Sequence, residues 1–551
     1  MKEIRVTYPD GQIRTYPFLI KASEALEPME TLPRPLAAVL INNELCPLDY
    51  FLTTDCTLAP VTVESNLGAA TYRRSLCFLL AMASRELFPK RRLVAGMAIG
   101  SGFFHFFDDN QPDDPRDLPA LEQRMRELVA RDIPIRREWM SYAGALEYFR
   151  SQGQADTLLL LEHMNDPRIA LNECAGFRDL HVTPLVPSTG VLGVFELTPY
   201  YDGFLLRYPH KEDDKVPSFE DDPVLYRIAK EYRERAKILG VSSVGALNGI
   251  NSPKKIKEYI QVAEALQNKK MAELADRVAA RAGTVKALLI AGPSSSGKTT
   301  TSKKLAIQLK VMGFEPVVIA LDDYFVDREH TPRDENGDYD FECLEALDVE
   351  YLNEQLVELF RGDEIELPAF DFRTGTRRPS GKKLRLSTGR EIVVMEGIHG
   401  LNDKLTPRIP REQKFKVYVS ALTQLNLDDH NRISTTDNRL LRRIVRDWQF
   451  RGKTALDTLR MWGSVQRGER RHIFPFQNSA DAAFNSALDY ELGVLKIYAE
   501  PVLRSVKPVE PEYAEAGRLL SFLANFSPIP AQFVPGNSIL REFIGESEFK
   551  Y

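Results

Sequence analysis

Hydrophobic and polar positions change their spacing several times along the chain. Residues 4–8 alternate and residues 37–41 form a short apolar run, each followed by turn residues, which predicts β-strands. Residues 22–26 fit one short helix between them. Farther on, apolar side chains recur at helical spacing over residues 75–89 and 118–131. The N-terminal part is therefore predicted to combine a small β-rich module with an α+β segment.

The middle of the chain changes to long helical patterns and then to buried strands. Residues 226–239 and 256–281 are rich in Lys, Glu, Ala and Arg at helical spacing, which predicts connecting helices. Residues 285–291, 315–321 and 391–395 are apolar runs of the kind that lie in parallel sheets, and helical patterns alternate with them. The predicted fold class is a multidomain α/β protein with a C-terminal parallel sheet.

Chain length and these changes in pattern predict several domains. With 551 residues, three or four domains are expected. The predicted boundaries are residues 1–62 for the β-rich module, 63–222 for the α+β domain, 223–282 for a helical linker, 283–505 for the α/β domain and 506–551 for a tail.

Composition is ordinary for a soluble protein, with 43% hydrophobic and 27% charged residues. No apolar run approaches the ~20 residues of a membrane span, and residues 1–6 contain no signal-peptide core, so a cytoplasmic protein without membrane attachment is expected. The five cysteines are scattered, which predicts reduced thiols. A net charge of −6 argues against binding of nucleic acid through the overall charge of the protein, but it is compatible with a local basic patch.

A complete P-loop follows the strand at residues 285–291 and opens the helical stretch at 300–312. Its residues are Gly292, Pro293, Ser294, Ser295, Ser296, Gly297, Lys298 and Thr299, and the predicted nucleotide-binding set extends to Thr300. Glycines let backbone N–H groups curl around phosphate oxygens, while Lys298 reaches the β- and γ-phosphates and Thr299 holds Mg²⁺. ATP and Mg²⁺ are the expected cofactors. The alternative, a simple Gly/Ser turn, does not account for the strand before and the helix after.

Two acidic residues stand where strands end beside the P-loop. Asp322 follows the strand at residues 315–321, and because carboxyl ends of parallel strands face the ligand crevice, Asp322 is the candidate general base. In the alternative interpretation, Asp322 or Asp323 only caps a helix. Glu396 follows the strand at residues 391–395 and is the candidate to hold Mg²⁺ with Thr299.

An arginine-rich helix is predicted over residues 438–453. Arg439, Arg442, Arg443 and Arg446 share one face, and apolar residues form the other. Four guanidinium groups repel one another unless anions lie nearby. ATP would supply that anion, so the helix is predicted to act as a lid, with Arg443 catalytic and the others binding the nucleotide. A solvated basic face is the alternative.

These motifs, with residues 339–342, 368–372 and Arg377, resemble in sequence order the uridine kinase and phosphoribulokinase family over most of residues 283–490. The resemblance implies that Asp322 is the base, that Glu396 and Thr299 serve the metal and that Glu342 lies near ribose hydroxyls. The candidate substrate residues are Phe325, Phe341, Glu342, Phe370, Asp371 and Arg377.

Three positions depart from that family. Gly375 stands where uridine kinases carry a base-recognising histidine, and Phe325 and Phe370 replace two tyrosines of the nucleoside pocket. A pyrimidine edge would therefore lack polar partners, which argues against uracil specificity.

The N-terminal part has a resemblance of its own. The order of elements in residues 1–62 resembles the TGS domain of threonyl-tRNA synthetases, a β-grasp module. The elements up to residue 190, including Asp179-Leu180-His181, resemble the editing domain of threonyl- and alanyl-type synthetases.

In that editing domain four side chains hold a metal. At the matching positions this chain has Arg74, Phe78, His181 and Leu185, which leaves one potential ligand. Zn²⁺ takes three or four nitrogen or sulfur ligands in proteins, so no zinc site and no metal-dependent deacylase are predicted. His181 is interpreted as a hydrogen-bonded structural or ligand-contact residue.

Two functions from different classes fit these motifs. The first is a homo-oligomeric ATP- and Mg²⁺-dependent kinase that phosphorylates a hydroxyl of a nucleoside or related small metabolite. The second is a regulatory protein associated with tRNA, other RNA or the ribosome, with the P-loop domain as a nucleotide switch. A switch has no need of Asp322, and the acidic net charge does not favour RNA, so the kinase is the preferred prediction.

Overall fold

The computed structural model describes residues 2–27, 35–109, 114, 116–180, 183–209, 215–333, 335, 337, 339–371 and 374–550. Two residues of the predicted motifs, His181 and Phe372, lie outside the described residues. The architecture is a mixed α/β multidomain fold, as predicted.

Residues 1–252 contain twelve of the nineteen strands in the described part of the chain. The strands are β1 Glu3–Thr7, β2 Ile13–Pro17, β3 Leu36–Ile41, β4 Glu44–Cys46, β5 Cys56–Thr62, β6 Leu93–Ile99, β7 Gly102–Phe107, β8 Arg136–Ser141, β9 Arg168–Cys174, β10 Phe177–Asp179, β11 Glu196–Tyr200 and β12 Gly203–Arg207. The helices are α1 Ala22–Leu26, α2 Asn66–Leu87, α3 Asp117–Ala130, α4 Tyr142–Gln152, α5 Ala155–Leu161, α6 Pro223–Leu239 and α7 Val244–Gly249.

The predicted short helix α1 is confirmed, whereas α2 begins at Asn66 rather than at residue 75. Ser65 causes the earlier start, because its side chain accepts the Gly68 N–H at 3.0 Å and so caps the helix. β1 to β5 form one mixed sheet in the order β2-β1-β5-β3-β4. The later strands form the sheets β11-β12-β7-β6 and β10-β9-β8, and α2 buries most of its length in their hydrophobic core.

The remaining chain carries the parallel sheet. Its helices are α8 Pro253–Ala279, α9 Lys298–Val311, α10 Val349–Arg361, α11 Thr435–Phe450, α12 Ala455–His472, α13 Glu491–Leu503, α14 Tyr513–Leu523 and α15 Arg541–Ile544. Its strands are β13 Ala287–Ala291, β14 Glu315–Ala320, β15 Ile365–Asp371, β16 Thr376–Leu384, β17 Glu391–Glu396, β18 Lys414–Ser420 and β19 Ala482–Asn485.

The parallel sheet has the strand order β14-β17-β13-β18-β19, with β15 and β16 as a separate antiparallel pair. β13 is central and every residue of it is buried, which explains its continuous apolar pattern. Glu396 at the end of β17 is in register with Ile290 of β13 and with Ala320 of β14. The residues after these three strands therefore meet at one edge of the sheet.

The chain divides into two compact units, and each unit is built from three separate segments of the sequence. Residues 1–252, 424–434 and 500–529 form the first unit, and residues 253–423, 435–499 and 530–551 form the second. The predicted domain boundaries remain predictions at a finer level than this division. All five cysteines are buried and free, and among the described helices none is long and apolar enough to cross a membrane.

Candidate nucleotide-binding site

The P-loop runs from the end of β13 at Ala291 to the start of α9 at Lys298. Ser295 and Gly297 adopt positive φ angles of 58° and 81°, which turn the backbone tightly before the helix. Gly292 has no room for a side chain, since a Cβ there would lie 1.9 Å from the carbonyl oxygen of Val419. The sequence pattern thus forms the compact loop that a phosphate-binding element requires.

The two residues predicted to hold the metal are in contact. Thr299 Oγ1 donates a hydrogen bond to Glu396 Oε1 at 2.9 Å, and Lys298 Nζ donates to the carbonyl of Pro293 at 3.2 Å. Mg²⁺ is usually bound through one or two carboxylates together with substrate phosphates and water. A threonine hydroxyl beside one carboxylate fits that requirement, and no group of three or more His, Cys, Asp or Glu side chains among the described residues offers a fuller cage.

Several carboxyl groups crowd around Lys298. Burial raises the pKa of Glu396 to about 7, the negative charge of Asp322 adds to the shift, and Lys298 opposes it. Burial, followed by the charge of Glu469, likewise raises the pKa of Glu342 to about 7. Burial is the main cause of both shifts and neighbouring carboxylates add to it, so these two carboxyl groups hold a proton more tightly than they would in water.

Asp322 lies on a 3₁₀ turn, Leu321–Tyr324, because β14 ends at Ala320. Partial removal of the carboxyl group from water raises the pKa of Asp322, and the positive charge of Lys298 opposes that shift. The side chain stays exposed to solvent, so the desolvation is incomplete and a substrate can approach it. Asp323 instead accepts the backbone N–H of Phe370 at 3.2 Å. The N-cap of the turn is Ala320, so neither aspartate caps it.

The arginines of α11 are predicted to have ATP as their counter-ion, but the structure pairs them with other anions. These anions are protein carboxylates: Arg439 Nη2 donates to Glu469 at 2.8 Å, Arg442 to Glu491, and Arg446 to Asp447 at 2.7 Å. Arg439 and Arg442 are 3% and 0% exposed. Their mutual repulsion is therefore relieved within the fold, and a lid role for them remains a prediction.

The same arginines contact the P-loop. Arg443 Nη1 donates to Ser294 Oγ at 2.6 Å, and the backbone N–H of Ser294 donates to Glu469 Oε1 at 2.9 Å. Arg442 Nη1 donates to the Ser295 carbonyl at 3.3 Å. The sequence analysis did not identify Glu469 as the partner of Arg439 and Ser294. The only indication in the sequence is a single acidic residue within the basic end of α12.

Three of the candidate substrate residues form an aromatic cluster. The Phe325 ring centroid lies 6.0 Å from that of Phe341 and 5.6 Å from that of Phe370. Phe325 and Phe370 are buried in a hydrophobic core cluster, which Phe341 flanks. This wall offers apolar faces rather than hydrogen-bonding groups.

The other substrate candidates are held by the fold. Arg377 Nη2 donates to Asp348 at 2.8 Å, and its guanidinium lies 4.8 Å from the centroid of the Tyr351 ring. The carbonyl of Asp371 accepts the Gly375 N–H at 2.7 Å. Gly375 has a φ of +74°, and a Cβ there would lie 2.7 Å from Nε of Arg328. Arg328 thus fills the space into which a histidine at position 375 would project.

A second polar cluster lies in the first unit and is formed with residues 424–434. His430 Nδ1 and Asp179 Oδ2 are 2.7 Å apart, and Arg92 bridges Asp429 and Asp156 at 2.6 Å each. Burial alone would lower the pKa of His430, but the charge and hydrogen bond of Asp179, together with the charges of Asp429 and Asp428, outweigh burial and raise the pKa to about 9. Asn431 Nδ2 also donates to the Leu180 carbonyl at 2.7 Å.

The positions that match the synthetase metal ligands have a different character. Phe78 and Leu185 are 1% and 4% exposed and belong to the hydrophobic core of the first unit. Apolar side chains packed in a core cannot bind a metal. The prediction for His181 falls on a residue outside those described.

Comparisons with known proteins agree with both resemblances. Residues 288–492 match the model of the Phosphoribulokinase / Uridine kinase family. The chain is also 36% identical over 197 residues to a threonine–tRNA ligase of Aromatoleum aromaticum, covering 35% of this chain and 31% of the ligase. A threonine–tRNA ligase of Symbiobacterium thermophilum is 29% identical over 249 residues, covering 43% of this chain and 38% of the ligase. The chain thus spans about a third of the length of these relatives.

Among solved structures, one described as a possible uridine kinase from Bacillus stearothermophilus is 24% identical with a TM-score of 0.23, covering 39% of this chain and 100% of that one. A D-glycerate 3-kinase from Cryptococcus neoformans is 14% identical with a TM-score of 0.21, covering 46% and 87%. Both TM-scores are low, so the assignment rests on the sequence matches. The C-terminal part contains a phosphoribulokinase/uridine kinase family domain, and the N-terminal region is similar to threonine–tRNA ligases.

Proposed function

We propose that the second unit is an ATP- and Mg²⁺-dependent kinase that phosphorylates a hydroxyl group of a nucleoside or a related small metabolite. The observation that carries the proposal is the hydrogen bond between Thr299 and Glu396, beside Lys298 and at the sheet edge where Asp322 follows β14. A bound Mg²⁺ would neutralise charge on the transferring phosphate. A strand-end carboxylate that acts as base is needed for transfer and not for nucleotide binding alone.

The residues divide the reaction between them. Lys298 holds the β- and γ-phosphates, and Asp322 takes the proton from the acceptor hydroxyl. The acceptor oxygen then bonds to the γ-phosphorus while the bond to the β–γ bridging oxygen breaks, and ADP leaves. The raised pKa of Asp322 suits this role, because a stronger base accepts the proton more readily near neutral pH. Arg443, which reaches Ser294 of the P-loop, is suited to stabilise the charge that develops.

The acceptor pocket is proposed from the aromatic cluster and Glu342. Phe325, Phe341 and Phe370 offer ring faces against which a base or sugar can pack, and Glu342 is suited to accept hydrogen bonds from sugar hydroxyls. Arg328 fills the space beside Gly375, and no histidine stands there to read a pyrimidine edge. We therefore favour acceptors other than uridine. We also propose that the protein is cytoplasmic and homo-oligomeric.

The test is a panel of nucleosides, sugars and sugar acids, each incubated with the full chain, ATP and Mg²⁺. The amount of ADP formed is measured with and without each acceptor. Acceptor-dependent ADP formation is expected for at least one member, with uridine among the weaker ones. ATP binding without acceptor-dependent ADP formation across the panel argues against a kinase.

A second candidate function follows from the similarity of the N-terminal region to threonine–tRNA ligases. In this alternative the chain binds tRNA or a ribosomal partner, and the P-loop domain acts as a switch. Binding of tRNA that weakens steeply with salt would favour it, because phosphate contacts release counterions. Binding that is absent at low salt would exclude it.

A further inference from the structure

The last residues of the second unit reach the helix that follows the P-loop. Glu542, in α15, accepts two hydrogen bonds on Oε2, one from the backbone N–H of Thr300 at 3.1 Å and one from its Oγ1 at 2.6 Å. Thr300 is completely buried in the first turn of α9, and the N-cap of that helix, Gly297, has no side chain. The first N–H groups of a helix lack partners within the helix. Glu542 supplies the missing acceptor.

These two donors belong to the element that binds nucleotide phosphates. In a P-loop, backbone N–H groups at the start of the helix bind phosphate oxygens of the nucleotide. A carboxylate oxygen and a phosphate oxygen cannot share the same two donors, and their negative charges repel. We propose that residues 538–550 are an autoinhibitory strap whose Glu542 occupies a phosphate position and must leave when a nucleoside triphosphate binds. The inference rests on the proposed nucleotide site.

The strap is anchored on three parts of the site. Ile539 is fully buried against the P-loop, with its Cγ2 2.6 Å from where a Cβ of Gly297 would lie. The ring of Phe543 lies under the guanidinium of Arg442, 4.9 Å from its central carbon. Lys303 of α9 donates to the carbonyl of Lys550. Glu542 is therefore held in place by its neighbours along the strap rather than by its own hydrogen bonds alone.

The test compares nucleotide binding in the full chain and in Glu542→Gln. The glutamine keeps an oxygen that can accept from Thr300 and removes the charge, so the fold is expected to persist, as a thermal melt will verify. ATP affinity, measured directly by titration, is expected to rise by at least about fivefold. Glu548→Gln is the control, an exposed carboxylate of the same strap, and ATP affinity is expected to stay unchanged. Equal or weaker ATP binding by Glu542→Gln overturns the proposal.

Hydrogen exchange in the unaltered protein gives a second, independent measurement. Addition of ATP is expected to reduce the protection of backbone amides in residues 538–550, and protection that stays the same or increases overturns the strap. Loss of the proposed kinase function is a separate result. ATP binding that releases the strap, without phosphorylation of any acceptor, refutes the kinase and keeps the strap, whereas failure of ATP to bind either protein overturns both.

Discussion

The two polar clusters of this chain differ in how far the fold encloses them. In the first unit Asp179, Asp428 and Asp429 are 0–1% exposed. Donors of the same unit occupy their oxygens, including the backbone N–H of Asp156 at 3.1 Å from Asp429. In the second unit Asp322 is exposed beside Lys298, and Glu342 and Glu396 are only partly buried. Carboxylates whose oxygens are occupied inside the fold are suited to a structural role, whereas carboxyl groups open to solvent can meet a substrate.

The contrast matches the fate of the two resemblances. The N-terminal region keeps the synthetase-like elements, but two of the four metal-ligand positions, Phe78 and Leu185, have become core. The kinase-like region has Thr299, Asp322 and Glu396 at the sheet edge, whereas its polar residues of the nucleoside pocket are replaced at Gly375, Phe325 and Phe370. The predictions below separate the two clusters by whether a substitution affects turnover or stability.

The largest effect is expected at Lys298, which is proposed to bind the β- and γ-phosphates of ATP. Lys298→Ala removes the one P-loop side chain that can place a positive charge at the β- and γ-phosphates, so turnover should fall by on the order of 10³ while the protein stays folded. The control is Lys310→Ala, an exposed lysine near the end of the same helix. Acceptor-dependent ADP formation measures both variants, and equal turnover in the two would exclude the open cluster from the chemistry.

The next effect separates chemistry from nucleotide binding. Asp322→Asn keeps size and shape but removes the basicity that proton transfer needs, so kcat should fall by at least about 10² with little change in ATP affinity. Asp323→Asn is the matched control, because an asparagine oxygen can still accept the Phe370 N–H. If Asp323→Asn is the more damaging change, or if Asp322→Asn mainly weakens ATP binding, Asp322 is not the base.

Much of the kinase-like region was predictable, because its signals are local. The P-loop pattern and the apolar runs before Asp322 and Glu396 predicted α9 and three strands of the sheet to within a residue or two. Such runs carry the information within a few neighbouring positions. The contact between Thr299 and Glu396 followed from parallel strands ending at one edge.

The rest depends on pairs far apart in the sequence. Nothing in the spacing of Arg439 and Arg442 indicates that Glu469 and Glu491 neutralise them. The same holds for His430, which pairs with Asp179 from 251 positions away, and for Glu542, which caps α9 from the end of the chain. Long-range ion pairs leave no periodic pattern, and the predicted tail hid a segment that belongs to the P-loop unit.

A smaller effect, on stability alone, is expected in the closed cluster. Asp179→Asn removes the charge that faces the buried His430, and the free energy of unfolding should fall by about 2 kcal/mol because a hydrogen bond to a charged group is lost. Asp55→Asn, which breaks an exposed ion pair with Arg5, should change the free energy of unfolding far less, because solvent screens that pair. Denaturant melts measure both. A changed ATP affinity in Asp179→Asn would show that the cluster is not purely structural.

The smallest effect is a pH dependence confined to the open cluster. Glu396 binds a metal only when ionised, and its pKa is raised to about 7, so Mg²⁺ affinity should weaken by up to about tenfold per unit as pH falls below 7 and level off above it.

Stability without metal should change in the opposite direction. The folded state binds this proton more tightly than the unfolded chain, so the free energy of unfolding declines as pH rises from 4.5 to about 7. Glu396→Gln should remove most of both trends, and Mg²⁺ titrations from pH 5.5 to 8 measure the first. A slope that persists in Glu396→Gln would assign the titration to another group, with Glu342, whose pKa is also about 7, next to be substituted.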